Sequence, residues 1–248
     1  MTDLRFLPHR GVDVAYRHRP GAGPAVVFLP GFMSDMTGSK AEFLDGWADQ
    51  RRRGFVRLDY SGCGASGGQF TDGTISRWAD DARAVIAATV GDGPVVLVGS
   101  SMGGWIMLRL ALAMGAQVAG LVGIAAAPDF VDWGIWDGMS EAEQAALVRN
   151  GRVERASEYG DAPYVYTRDL IEDGRACRVM DGPIAYAGPV RLLQGQADPD
   201  VPWRLALDIA ERLDSADVQV TLVKDGDHRL SRPQDLALLA AMLDALPG

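Results

Sequence analysis

The sequence predicts an α/β protein: one doubly wound, mostly parallel sheet of eight strands, with helices on both faces and an inserted cap. Three observations carry that reading. Short β-branched runs alternate with stretches of helical spacing. The later runs are almost continuously apolar, as strands buried on both faces are. One long segment, residues 129–187, breaks the alternation.

Strands are expected near Leu4–Leu7, Val12–Arg17, Ala25–Leu29, Phe55–Leu58, Val95–Gly99, Val118–Ala125, Val190–Gln194 and Val218–Val223. The first two lie close together and alternate in polarity, as an antiparallel pair should. Ile75, Trp78, Ala82, Val85, Ile86 and Thr89 mark one helical face, with Thr74 as its N-cap. Further helices are expected at about Ser39–Arg51, Met102–Met114, Pro202–Leu213 and Pro233–Leu246. Residues 129–187 are too many for a plain crossover, and Glu141–Asn150 has helical spacing within them. They read as a cap inserted after the sixth strand and folded over the C-terminal edge of the sheet. Ligands of open α/β sheets bind at that edge. Residues 1–128 and 188–248 then form the core.

A chain of 248 residues with 48% hydrophobic content can bury one large core. A net charge of −9 argues against a nucleic-acid partner, because phosphate binding needs a basic face. No apolar run approaches the roughly 20 residues of a membrane span, and the first residues contain no apolar secretory core. Cys63 and Cys177 are too few for a disulfide framework, so a reducing, cytoplasmic location is expected. Nothing in the pattern sets an oligomeric state.

The candidate chemistry begins at Val95-Val96-Leu97-Val98-Gly99-Ser100-Ser101-Met102-Gly103-Gly104. A strand ends, Gly-x-Ser-x-Gly follows and a helix starts at once, which is the context a nucleophile elbow requires. Ser101 is centred between Gly99 and Gly103; taking Ser100 instead would put Val98 at the first glycine position. Met102 N–H, next in the chain, is one candidate oxyanion donor, and Phe32 N–H, after Pro30-Gly31 in the loop behind the third strand, is the second.

Serine needs a base. His9 and His18 flank the first strand pair, whereas His228 follows the last strand in a polar turn, where the order Ser, acid, His places the base. The acid is expected after the seventh strand, where Asp198 and Asp200 both stand. Asp198 is nearer the strand end; Asp200 is available to cap the helix near Pro202. Cys63 has no second base beside it and reads as inert. No cluster has metal-ligand spacing and no Gly-x-Gly-x-x-Gly opens a helix, so neither a metal nor a nucleotide cofactor is expected.

The blocks FLPGFMSDMTGSKA, RLDYSGCGASGG, LVGSSMGGWIMLRLA, RLLQGQADPDVPW and DGDHRL resemble one branch of the α/β-hydrolase superfamily. It is the branch of the mitochondrial palmitoyl-protein thioesterase and mycophenolic acid acyl-glucuronide esterase. The resemblance implies the α/β-hydrolase fold, a Ser101–Asp198–His228 triad, and hydrolysis of small-molecule esters or thioesters of bulky or fatty acyl groups. The alternatives are a serine peptidase on the same fold and a non-catalytic ligand-binding receptor on a hydrolase scaffold. The cap holds twelve Asp/Glu, six Arg and no Lys, together with Phe130, Trp133, Trp136, Met139, Tyr159, Tyr164, Tyr166, Met180 and Tyr186. That composition suits an apolar acyl group and repels polyanions. Arg149, Arg152 or Arg155 could hold a single carboxylate.

Overall fold

A computed structural model describes residues 2–156 and 163–246. The chain opens with β1 (Leu4–His9), β2 (Val12–Arg19) and β3 (Ala22–Leu29), then α1 (Ser39–Arg51) and β4 (Arg53–Leu58). It continues through α2 (Ile75–Thr89), β5 (Val95–Ser100), α3 (Met102–Met114) and β6 (Val118–Ile124). A π-helical turn (Val131–Trp136), α4 (Glu141–Asn150), β7 (Arg152–Arg155), β8 (Tyr164–Thr167) and α5 (Arg168–Ala176) follow. The last elements are β9 (Val190–Gly195), α6 (Leu205–Arg212), β10 (Val218–Val223) and α7 (Pro233–Asp244).

Eight strands form one sheet in the order β1-β2-β4-β3-β5-β6-β9-β10. β2 runs antiparallel to both of its neighbours, and the remaining pairs are parallel. The central strands β3, β5, β6 and β9 are buried almost throughout, which is why they read as unbroken apolar runs. α1 and α7 cover one face through Leu44, Trp47, Leu239 and Leu243. α2, α3 and α6 cover the other through Trp78, Val85, Trp105, Ile106 and Ile209. Thr74 caps α2 by accepting from Arg77 N–H.

Two helix ends differ from the sequence expectation. α6 begins at Leu205 rather than Pro202, because residues 202–204 turn first and Leu205 N–H returns to the Pro202 carbonyl. Asp200 therefore does not cap it; the N-cap position is Arg204. α7 stops at Asp244 rather than Leu246, since the proline at 247 disfavours helical backbone at the residue before it. Within the insertion, α4 is closed by a Ser140–Glu143 capping box. The antiparallel β7–β8 pair and α5, which Thr167 caps, were not expected from the sequence. Among the described residues no helix is long and apolar enough to cross a membrane.

Candidate active site

β5 delivers the chain to a turn so tight that Ser101 adopts φ 54°, ψ −120°, a conformation that non-glycine residues rarely hold. β6, the residues just after it and the first turn of α3 hold the turn. Ser101 N–H donates to the Ile124 carbonyl at 2.9 Å, and the Ser101 carbonyl accepts from Ala127 and Gly104. The flanking glycines are steric requirements. A Cβ on Gly99 would lie 2.3 Å from the Gly103 carbonyl oxygen, and one on Gly103 would lie 2.1 Å from that of Leu29. Ser100 is the last residue of β5 and is buried, whereas Ser101 is half-buried and its hydroxyl is not spent on capping α3. Met102 opens α3, where N–H groups have no intrahelical partner.

The loop after β3 lies against this turn, since a Cβ on Gly31 would sit 3.4 Å from the Ser101 Cβ. Its course is held from β4 and beyond. Asp59 accepts from Met36 N–H at 2.7 Å, and Arg57 donates to the Met36 carbonyl at 2.8 Å. The Phe32 ring packs among Phe70, Trp78, Phe130, Tyr164 and Tyr166 at centroid distances of 5.1–6.1 Å. Its stack on Tyr166 is nearly parallel, at 15°.

Asp198 and His228 meet from the loops after β9 and β10. His228 Nδ1 lies 2.9 Å from Asp198 Oδ2, with the Asp198 side chain fully buried and that of His228 18% exposed. Asp198 Oδ1 accepts from the Asp200 and Val201 N–H groups, and Gln194 Nε2 donates to Oδ2 at 3.1 Å. Burial alone would favour the neutral acid. The His228 contact and the two backbone donors outweigh it and hold the carboxyl below its ordinary range. Local sequence pattern assigns Gln194 no role; only the bend of the chain after β9 turns its amide onto Asp198.

Asp200 is exposed, and one of its oxygens lies within 4.8 Å of ligand-type atoms of both Asp198 and His228. Local spacing does not reveal that grouping. The Asp198 oxygens already carry four hydrogen-bonding contacts, which suits a structural relay better than an ion. His9 instead pairs with Asp80 at 2.8 Å on α2, and His18 lies within β2. Burial pushes the Cys63 and Cys177 thiols up to about 12 and about 11, away from the reactive thiolate.

The insertion's aromatic residues divide between two jobs. Phe130, Tyr164 and Tyr166 gather on Phe32. Tyr186 is buried and donates to the Val118 carbonyl, Trp133 donates to the Pro128 carbonyl, and Trp136 lies under the Arg175 guanidinium. Tyr159 lies outside the described residues. Arg155 is spent on a bidentate pair with Glu143 and on the Gly138 carbonyl. A cavity of about 580 Å³, lined in part by Asp132, Trp133, Arg175 and Arg178, adjoins the insertion but takes no lining from Ser101, Asp198 or His228.

Comparison with known proteins agrees with this architecture. Residues 26–240 match the alpha/beta hydrolase family. The mitochondrial palmitoyl-protein thioesterase ABHD10 of Mus musculus is 35% identical over 247 residues, covering 99% of this chain and 82% of the relative. A crystal structure of an Agrobacterium vitis S4 protein classed with the hydrolases superposes with a TM-score of 0.93 at 46% identity, covering 99% and 98% of the two chains. The structure of mouse alpha/beta hydrolase domain-containing protein 10 superposes with a TM-score of 0.88 at 35% identity, covering 98% and 97%. With its sheet order, its strand–turn–helix elbow and these matches in agreement, the chain belongs to the alpha/beta hydrolase family, in the branch of the ABHD10 palmitoyl-protein thioesterases.

Proposed function

We propose that this hydrolase is a serine esterase or thioesterase acting on bulky or fatty acyl groups, with Ser101 as nucleophile, His228 as base and Asp198 as the acid that orients it. The observation that carries the reading is the buried Asp198 carboxylate on His228 Nδ1, combined with Ser101 at the strained turn. Asp198 fixes the proton on Nδ1, so Nε2 presents its lone pair to the serine hydroxyl. Ser101 Oγ bonds to the substrate carbonyl carbon as its proton passes to Nε2. The developing oxyanion rests on the N–H groups of Met102 and Phe32. Collapse expels the alcohol or thiol, which takes the proton from His228; water then repeats the sequence and frees the acid and Ser101.

The aromatic residues around Phe32 support an apolar acyl moiety beside the nucleophile, and the β7–β8 pair with α4 and α5 serves as a lid over residues that carry the chemistry. No step needs a metal or a cofactor. The two free buried cysteines support a reducing, cytoplasmic compartment, although the relatives are named as mitochondrial proteins.

A fluorophosphonate probe and a series of p-nitrophenyl acyl esters test the proposal. The wild type should label, and Ser101→Ala should lose labelling and roughly 10³-fold or more of its kcat/KM. Ser100→Ala should keep both. Rates should climb as the acyl chain lengthens, up to about tenfold per two carbons, until the pocket fills. A wild type that neither labels nor turns over would make the chain a receptor, and a dead Ser100→Ala with an active Ser101→Ala would move the nucleophile.

A further inference from the structure

The turn that carries His228 is short and polar, and the buried Leu230 two residues on ties it to the core. What holds its backbone still therefore matters to any chemistry on the imidazole. Part of the restraint is local: Asp227 Oδ1 accepts from Leu230 N–H, Leu230 sits at φ 44°, and Ser231 Oγ donates to the Arg229 carbonyl. Arg232, just beyond, is clamped between Asp225 and Asp235. A further restraint comes from the far end of the chain. Lys40, in the first turn of α1, extends Nζ to the Arg229 carbonyl at 2.5 Å and to Ser231 Oγ at 3.4 Å. The carbonyl it grips belongs to the residue directly after His228.

Lys40 also ends the segment that starts at the Gly31–Phe32 loop, whose course Asp59 and Arg57 hold through Met36. One half-buried side chain thus links the segment bearing a candidate oxyanion donor to the turn bearing the candidate base. An ordinary solvated lysine spends its charge on water. This one spends it on a backbone carbonyl, and a charge-assisted bond is about twice as strong as a neutral one.

We propose that Lys40 is a positioning residue for His228, holding the base in register with Ser101 through the Arg229 carbonyl. The inference rests on His228 being the base. It acts through the turn and not on the substrate.

Titration gives the proposal a signature. Burial pushes the Lys40 ammonium down to about 8, against the attraction of Asp227 and Asp235 and with the repulsion of Arg229. Among the described residues those three, from the His228 turn and from α7, are the charged groups that act on it. Above that pH the amine is neutral and its grip weakens. Stability moves the other way: a lysine with a lowered folded-state pKa costs the fold most when charged, so its contribution improves as pH rises from about 8 toward the free value of 10.5. A residue that merely stabilised the fold would move activity and stability together.

The test compares wild type, Lys40→Met, Lys40→Arg and His228→Ala for p-nitrophenyl acetate hydrolysis from about pH 6 to about pH 10, with thermal melting at each pH. Wild type should show a partial fall in kcat centred near pH 8, while its melting temperature does not fall with it. Lys40→Met should lose roughly 10- to 100-fold in kcat with KM within about threefold. Lys40→Arg, charged throughout, should recover most of that loss and lack the fall near pH 8. If Lys40→Met does not fold, the wild-type and Lys40→Arg profiles decide alone: an identical alkaline fall in both overturns the proposal. A folded Lys40→Met with wild-type kcat also overturns it. Activity surviving in His228→Ala is a separate failure, of the base assignment, and takes this inference with it.

Discussion

At the scale of single residues, two carboxylates two positions apart end up with different surroundings. The Asp198 side chain is fully buried and holds the imidazole; Asp200 is exposed, and its backbone N–H serves Asp198 while its carboxylate stands nearby. A buried anion survives only when its hydrogen-bonding capacity is filled, and Gln194, Val201 and Asp200 supply that for Asp198. Asp198→Asn should therefore lower kcat by about 10⁴-fold with little change in KM, because an amide cannot keep the imidazole in the right tautomer. Asp200→Asn should stay within about tenfold of wild type, because it is Asp198 Oδ2 that stands 2.9 Å from the imidazole Nδ1. Steady-state kinetics on both variants check this, and equal losses would assign the relay to the pair.

Among the elements, β8 has the widest reach. Strand alternation puts Tyr164 and Tyr166 on one face, where they stack on each other at 6.0 Å and on Phe32. Burial pushes the Tyr166 phenol up to about 12, helped by the nearby charges of Tyr164 and Asp200. The strand thus packs on the loop that carries Phe32, and its Tyr166 also feels the charge of Asp200. Aromatic pairs contribute about 0.5–1.5 kcal/mol beyond their area, so losing a ring here loosens the loop more than it threatens the fold. Tyr166→Ala should cut kcat for a short p-nitrophenyl ester by roughly tenfold, a loss of about 1.4 kcal/mol, while Tyr166→Phe stays near wild type. Measured kcat and KM for the two variants separate this from a pocket effect, in which KM would rise and kcat would hold.

On the scale of the whole molecule, charge is unevenly distributed. The net charge is −9, and residues 129–187 hold twelve of the acids against six arginines, −6 of that total. Pairs such as Asp132 with Arg175 and Arg178, and Glu143 with Arg155, order the insertion without changing its net charge. A polyanionic substrate approaching through this field is repelled, and exposed charges act only within a Debye length. A coenzyme A thioester should accordingly show a lower kcat/KM than an uncharged thioester of the same acyl group. The gap should narrow as salt rises from about 0.01 M to about 1 M, where the Debye length falls from about 30 Å to about 3 Å. A salt-independent ratio would remove the field from the account of specificity.

What the sequence determined by itself was whatever is written in neighbouring residues. Buried parallel strands are runs of apolar residues, α2 is a period-3.6 face with a threonine cap, and the elbow is five consecutive residues whose glycines leave no room for a Cβ, which would meet backbone at 2.3 and 2.1 Å. The β7–β8 pair and α5 were legible in principle, through Tyr164–Thr167 and the Thr167 cap, but a short two-stranded pair has too little local pattern to stand out. The Asp198–His228 pairing across 30 residues of chain was expected from the strand order, whereas the tertiary structure alone decided that Lys40 reaches Arg229 across 189 and that Phe32 is packed among five rings from four separate segments. These are contacts between residues distant in sequence. Their partners are set by the order of strands in the sheet and the packing of the loops and of residues 129–187, which no local spacing encodes.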